Sequence, residues 1–535
     1  MLRRHALLSL LALSIGTTLT AQSPAPLTAD TVRWKFAARQ DVTFMRLTPF
    51  GTVVVGMPDR VVALDPATGQ PIWTREDVKN LSAGAFDIIP LTPYAIVRSR
   101  NSVAVLDVQT GATLWDSSAV PLDDVRGYLP VLEHRMLLVY GHKKPDGRAL
   151  VAMDIDSGKV RWRQHALLRS DPELWETDDI HSLSGHQPPL VDSDTTLILY
   201  ISKDGPFKIH AATGQLLWRV DQLQGEDPPT LAKAYPPMTL GDAILLVPYG
   251  KRLMAVNPTD GRVVWDRPDN FKSPVSQMWL TSRGLLVRGA RPLDQQKKLS
   301  QPDAFLDLLD TKGGASLWPK PFMDMKHDAL APFLVVGDTA YLGDRERLFG
   351  VALPDGASRQ ITTYKFEGGE EPVTVEPRGE QQLLLLSAHN LVLLGMRDAH
   401  QVVRYYPAPG SSFLSKLGKA ALFTLSAASQ AGAANQAGRP GLHVTGSFDY
   451  NPFIKQRIQG VVRAAETYTF IYTRAADAAG REGFSLVRLR KADGVEAGRL
   501  WFDDRSPEYL LDVASSAVYW KRTEREIVAR TMVEP

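Results

Sequence analysis

The 535-residue chain contains no cysteine. That excludes disulfides, thiolate metal sites, a cysteine nucleophile and a lipid-bearing N-terminal cysteine. An excess of either charge is missing as well, since 61 Lys and Arg stand against 59 Asp and Glu. The formal net charge of +2 falls to zero once a leader carrying Arg3 and Arg4 is removed. A neutral chain offers no electrostatic case for nucleic acid or an anionic membrane. Long apolar runs are also lacking. The one at residues 6–15 is about half of the ~20 residues that cross a bilayer. No Gly-x-Ser-x-Gly elbow, phosphate loop or His-Glu-x-x-His motif occurs.

The N-terminus carries the features of a secretory signal. Arg3, Arg4 and His5 precede the short apolar run, and Leu19-Thr20-Ala21 offers a cleavage site. Residues 1–21 are therefore expected to be a signal peptide, and 22–535 a single exported domain. No later stretch is long and apolar enough to span a membrane. The expected location is the periplasm or the extracellular space, not as a lipoprotein.

Repetition dominates the rest. Six segments share a turn and a tryptophan at constant offset. They are Val62-Ala-Leu-Asp65-Pro-Ala-Thr-Gly69-Gln-Pro-Ile-Trp73 and Val105-Leu-Asp107-Val-Gln-Thr-Gly111-Ala-Thr-Leu-Trp115. Val151-Ala-Met-Asp154-Ile-Asp-Ser-Gly158-Lys-Val-Arg-Trp162 and Ile209-His-Ala-Ala-Thr-Gly214-Gln-Leu-Leu-Trp218 follow. The last two contain Asn257, Gly261 and Trp265, then Asp310, Gly314 and Trp318. Six of the eleven tryptophans thus occupy one position, which chance does not explain.

Each fixed residue has a physical task. Asp or Asn accepts backbone N–H groups of its own turn. Gly supplies the positive φ of a tight hairpin. Flanks that alternate apolar and polar have the period of a half-buried strand. A tryptophan at fixed offset wedges between neighbouring sheets with its N–H on a backbone acceptor. Use of these rings as stacking platforms for a sugar or quinone is the alternative, and burial is the stronger reading. Further apolar strands precede each hairpin, as at Val191–Tyr200, Gly241–Val247 and Gly337–Leu342. One unit is thus a small antiparallel sheet of about four strands, the blade of a β-propeller.

The pattern then decays. Gly356 keeps the turn while Gln360 stands in the tryptophan place, and His400 and Arg404 replace both residues in the next unit. Gly494 marks a ninth turn, and Ala517–Arg530 supplies two strands of a truncated tenth. At the other end, Thr31-Val-Arg-Trp34-Lys-Phe reads as an orphan final strand. It is expected to complete the C-terminal blade and close the ring. The expected architecture is all-β, a propeller of eight four-stranded antiparallel blades, although a literal tally allows nine or ten. Residues 408–441, rich in Ala, Ser and Gly, interrupt the pattern. Leu414, Leu417, Ala421, Leu425 and Ala428 recur at helical spacing there, suiting a short helix or loop on the propeller rim.

Candidate chemistry is thin. His181 and His186 lie in one polar loop with Asp178 and Asp179, and Asp324, His327 and Asp328 form a second cluster. Solvated loops explain both better than metal sites do. Glu367-Gly-Gly-Glu-Glu371 reads as a solvated acidic loop, because it lacks the alternating spacing of a Ca²⁺ loop.

The Ala-x-Asp-x-x-Thr-Gly-x-x-x-Trp pattern of Ala63 to Trp73 resembles the repeat of the pyrroloquinoline-quinone-like (PQQ-like) β-propellers. That family holds two kinds of protein. One kind is periplasmic dehydrogenases with the quinone and Ca²⁺ on the propeller axis, many stacking the cofactor under adjacent cysteines. The other is non-catalytic binding propellers, among them a lipoprotein of the outer-membrane β-barrel assembly machinery. The cysteine-free chain lacks the stacked disulfide, and no motif matches the Ca²⁺ ligands or the catalytic aspartate. The blade motif is shared by both kinds, and the leading expectation is a non-catalytic, monomeric scaffold for a protein or cell-envelope component, with no cofactor. A PQQ- and Ca²⁺-dependent dehydrogenase is the alternative.

Overall fold

A computed structural model of the chain describes residues 31–532 apart from 410–451, 290–303, 224–237, 326–332, 170–174, 183–188 and shorter breaks. Residues 1–21, expected to be a signal peptide, and nearly all of 408–441 fall outside the described residues. Strand type follows the sequence pattern. Continuous apolar runs such as Val53–Met57 are buried throughout. Alternating runs such as Pro71–Arg75 bury one residue, Trp73, between exposed neighbours. The first kind forms the middle of a sheet and the second its outer edge.

Ten sheets result, seven of four strands, two of three and one of six. Numbered along the chain, the first contains Phe44–Leu47, Val53–Met57, Arg60–Leu64 and Pro71–Arg75, which are strands A to D. Neighbouring strands within it pair antiparallel in sequence order. The molecule is an all-β propeller of such blades, with more of them than the eight expected. The excess has a plain cause. Units beyond Trp318 keep the strand pattern but lose the tryptophan by which units are most easily counted.

Two sheets are incomplete. The sixth has strands Val275–Leu280, Leu285–Gly289 and Phe305–Leu309, its outer edge reduced to single bridges at Ser316 and Phe322. The ninth has Tyr468–Ala476, Glu482–Arg490 and Glu496–Phe502, entered from an α-helix, α1, over Pro452–Thr467. In the tenth, Thr31–Ala37 is the outermost strand and pairs antiparallel with Glu526–Thr531, Thr31 opposite Thr531 and Ala37 opposite Glu526.

The core lies between sheets rather than within one. Trp73, Phe86, Ala95 and Leu106 form one cluster between the first and second sheets. Trp115, Tyr128, Leu137 and Val151 repeat the arrangement between the second and third. Trp34, Tyr519 and Ile527 of the tenth sheet pack with Met45, Val53 and Val62 of the first. Such burial between faces is the main source of stability in a repeat architecture.

Candidate functional site

The repeat residues meet across sheet boundaries. Each Trp leaves the outer edge of one sheet, strand D except at Trp318, and docks on the C–D turn of the next. Trp73 Nε1 donates to the Val108 carbonyl at 3.0 Å, Trp115 to Ile155 at 2.8 Å and Trp162 to Ala211 at 2.8 Å. Trp218 donates to Pro258 at 2.9 Å, Trp265 to Thr311 at 3.1 Å and Trp318 to Leu353 at 2.9 Å. Trp34 does the same to Pro66 at 3.0 Å. All seven rings are buried.

The turn glycine is needed for two reasons at once. Gly69 has φ +71°, and a Cβ there would lie 2.5 Å from the Trp34 ring. Gly111, Gly158, Gly214, Gly261 and Gly314 share that conformation and lie against Trp73, Trp115, Trp162, Trp218 and Trp265. The acidic turn residue holds the loop. Asp65 Oδ1 accepts from the N–H groups of Ala67 and Thr68 at 2.9 and 2.8 Å. Asp107 accepts from Gln109 and Thr110, Asp154 from Ser157, Asn257 from Thr259 and Asp310 from Gly313. Burial pushes the Asp154 carboxyl up, but Arg161 and Ser157 outweigh it and hold the group down to about 2. This constellation packs blades together and presents no reactive group.

Connection lengths distinguish the two faces of the propeller. A–B and C–D turns lie on one face and are short throughout, as at 48–52, 89–93, 132–135, 65–70 and 155–159. B–C turns and D–A connections leave from the other, and the strand ends that bound the intervals 165–189, 220–237 and 290–304 are on that side. Long connections on one side of a rigid frame form the surface on which recognition is usually built.

The roots of those connections are tied by buried polar groups. Asp204, fully buried in a B–C turn, accepts the Arg169 N–H at 2.6 Å and pairs with Arg219 at 3.4 Å. Arg219, at the end of strand D of the same sheet, also donates to the Leu167 carbonyl at 2.5 Å, so the B–C turn and strand D together grip residues 167–169. Four sheets on, Glu370 accepts from Ser387 Oγ at 2.5 Å, from Asn390 Nδ2 at 2.9 Å and from the His389 N–H at 3.0 Å. Its other oxygen meets His389 Nδ1. Burial raises the Glu370 pKa, yet the donors from His389 and Ser387 leave it below the ordinary value. Gln277 strap-bonds the backbone of Phe333 in both directions, at 3.1 and 2.7 Å.

The acidic loop at 367–371, expected to be solvated, is exposed at Gly368 and Gly369 and half-exposed at Glu367, but Glu370 turns inward. Glu370 is an internal anchor, and Gly368 and Gly369 at φ +71° and +70° let the chain turn to place it. His181 lies in the short strand Ile180–Ser182, opposite Glu176. Asp178, Asp179, His186, Asp324, His327, Asp328 and Glu371 lie outside the described residues. Among the described residues no three His, Asp or Glu side chains gather as a metal site. No described helix is long and apolar enough to cross a membrane.

One axial feature had no counterpart in the repeat pattern. Strands A line the axis of a propeller. The third sheet continues inward past its strand A, Asp124–Val131, through Ile180–Ser182 and then Trp175–Thr177. Ser182 pairs parallel with Tyr128, so this hairpin stands on the axial side. Helix α1 was missed too. Asn451-Pro452 is a helix-start signal, and the apolar spacing that follows could have revealed it.

Comparison with known proteins places this architecture. The profile of the outer membrane protein assembly factor BamB matches residues 99–362. An uncharacterized protein of Rickettsia prowazekii, RP232, is 23% identical over 223 residues, 40% of this chain and 48% of that protein. The chain therefore spans about half the length of this curated relative. Among solved structures, BamB from Moraxella catarrhalis aligns at 14% identity and a TM-score of 0.34, over 70% of this chain and 100% of that one. A europium-containing methanol dehydrogenase aligns at 13% and 0.33, over 72% and 87%. Likeness this low says nothing about activity. By the matched profile and the Asp–Gly–Trp units that run from Val62 to Trp318, the chain belongs to the PQQ-like β-propeller repeat family.

Proposed function

We propose that this protein is an exported, non-catalytic propeller that binds a protein or cell-envelope ligand through the face bearing the long connections. The observation that carries the reading is the asymmetry of the two faces. Tight turns confine one face to packing, whereas the other combines long connections with roots clamped by Asp204 and Glu370. Fixed roots reduce the ordering cost of binding, which is how a scaffold turns loops into a recognition surface. The profile match to BamB supports the same scaffold role. Pairing of the N-terminal strand with Glu526–Thr531, and the seating of Trp34 on the first sheet, favour a ring closed by that strand.

The quinone-dependent alternative fits the chain's own residues poorly. A cofactor stacked on the axis needs open space there, and the hairpin of Trp175–Thr177 and Ile180–Ser182 extends a sheet into that side. The chain also has no cysteine to form the stacked disulfide. The discriminating experiment adds pyrroloquinoline quinone with Ca²⁺ and follows melting temperature, absorbance and alcohol or sugar oxidation. No stoichiometric binding and no oxidation are expected. Tight binding accompanied by turnover would overturn the scaffold reading.

A further inference from the structure

Helix α1 departs from the rule that governs the rest of the tight-turn face. It lies over the A–B turn of the tenth sheet, residues 513–516, and reaches the corresponding turn of the first. A helix packed on a sheet ring normally turns an apolar stripe toward it. Here the stripe facing that turn is Gln456, Gln459, Gly460 and Arg463, positions i, i+3, i+4 and i+7. These residues line an open pocket of about 490 Å³ together with Arg457, Ala514 and Ser515.

The lining is one-sided in its chemistry. Among the described residues it supplies two guanidinium groups, from Arg457 and Arg463, two amides and no carboxylate, the Ser515 hydroxyl being given to Asp512. Asp512, beside the pocket, is already engaged. It is buried and pairs with Arg457 at 2.6 Å, and it accepts from Ser515 Oγ at 2.5 Å and from the Ala514 N–H at 3.2 Å. Asp512 therefore orients Arg457 rather than occupying the pocket. Gly51, at φ +85°, lets the Arg457 guanidinium lie against backbone, since a Cβ there would come within 2.8 Å of it. Arg463 is exposed at the other end and makes no ion pair among the described residues. Gly460 lies close to the turn, since a Cβ there would already touch Ala514 at 3.5 Å.

We infer that this pocket is a binding site for a phosphate-class oxyanion, held between an oriented Arg457 and an exposed Arg463. Planar guanidinium forks match the paired oxygens of phosphate, and an oriented fork loses little freedom on binding. The amides of Gln456 and Gln459 complete a donor set without introducing an opposing charge. A free phosphate ester and a lipid headgroup present the same chemistry. Neither requires the long-connection face, so the site is independent of the proposed scaffold function.

The test is titration of the full chain with inorganic phosphate by calorimetry at constant ionic strength, with chloride as the reference anion. Saturable one-site binding is expected. Arg463→Gln should weaken it at least tenfold, and Gly460→Leu should do so by filling the space without changing charge. Arg262→Gln, at a position 82% exposed in a distant turn, should leave it unchanged. Because Arg463 is exposed, its variant should melt as the parent does, which separates lost binding from lost fold. Vesicles of phosphatidylcholine with and without phosphatidic acid then identify the source. Phosphatidic-acid binding that Arg463→Gln removes supports a lipid phosphate, and binding of inorganic phosphate alone supports a soluble ester. Absence of both, or binding that survives Arg463→Gln and Gly460→Leu, overturns the inference.

Discussion

The first seven sheets and the last three are joined by different chemistry. From the first sheet to the seventh, every boundary uses a buried Trp on a turn glycine, with one N–H donated to one carbonyl. Between the seventh sheet and the tenth the devices are individual, and Trp34 brings the repeated one back where the tenth meets the first. Arg404 Nε donates to the Gly494 carbonyl at 3.2 Å where a Trp would dock. Lys491 of the ninth sheet reaches Glu376 of the eighth at 2.7 Å, with both groups shielded. Tyr472, Phe502, Tyr509 and Trp520 fill the boundary between the ninth and tenth. A repeated device gives every boundary the same register, whereas ion pairs and aromatic clusters specify one boundary each. Uniform packing positions the frame, and the varied end accommodates a helix and an incomplete sheet.

The largest effect should come from removing a repeated ring. Trp115 is buried, donates to Ile155 and lies against Gly158. Trp115→Ala should cost about 3–5 kcal/mol, the usual range for truncating a buried Trp. Denaturant unfolding reads this as a lower midpoint of the first transition. An unchanged midpoint would mean that the ring bears no load, and the stacking-platform reading would return.

The sequence made the turns and the docking rings legible because both depend on residues with few substitutes. Only Gly tolerates the φ near +70° at Gly69 beneath an indole. Asp65, Asp107 and Asp154 act within their own turns, so the spacing along the chain already contains the geometry. Blade number was less legible, since Gln360 and Arg404 occupy the tryptophan place while apolar strands continue around them. Asp204, Glu370 and His389 were invisible for another reason. Their partners lie tens of residues away, or depend on which side of a turn faces inward, and no local pattern records that. The axial hairpin is a matter of sheet order, which a short polar segment does not encode by itself.

A smaller and more asymmetric effect is expected at the eighth–ninth boundary. Burial lowers the Lys491 pKa, opposed by its pairing with Glu376. Glu376→Gln leaves that ammonium buried without a counter-charge and should cost about 3 kcal/mol, as for other broken buried pairs. Lys491→Met should cost much less, because Glu376 keeps Arg378 at 2.5 Å. Thermal unfolding of the two variants compares them directly. Equal losses would show that the pair acts as a unit, like a docked Trp, and the contrast between the two regions would be narrower than drawn.

The smallest effect tests whether the repeated device can be restored. Arg404 occupies the tryptophan register on Gln401–Tyr405, opposite Leu391, and its Cγ lies against Gly494. Gly494 retains φ +67°, the conformation of every glycine that receives a ring. The receiving turn therefore persists although its ligand has changed. Arg404→Trp should then gain up to about 1 kcal/mol, within the range of single repeat-restoring substitutions. The indole would exchange a solvent-exposed guanidinium for apolar contact with Gly494 and Leu391, with its N–H directed at the turn backbone. A higher melting temperature supports a frame that has lost a ring without losing its socket. A lower one would mean that the ninth sheet, which lacks a strand A among the described residues, has settled around the arginine, and that its distance from the repeat is built into its packing.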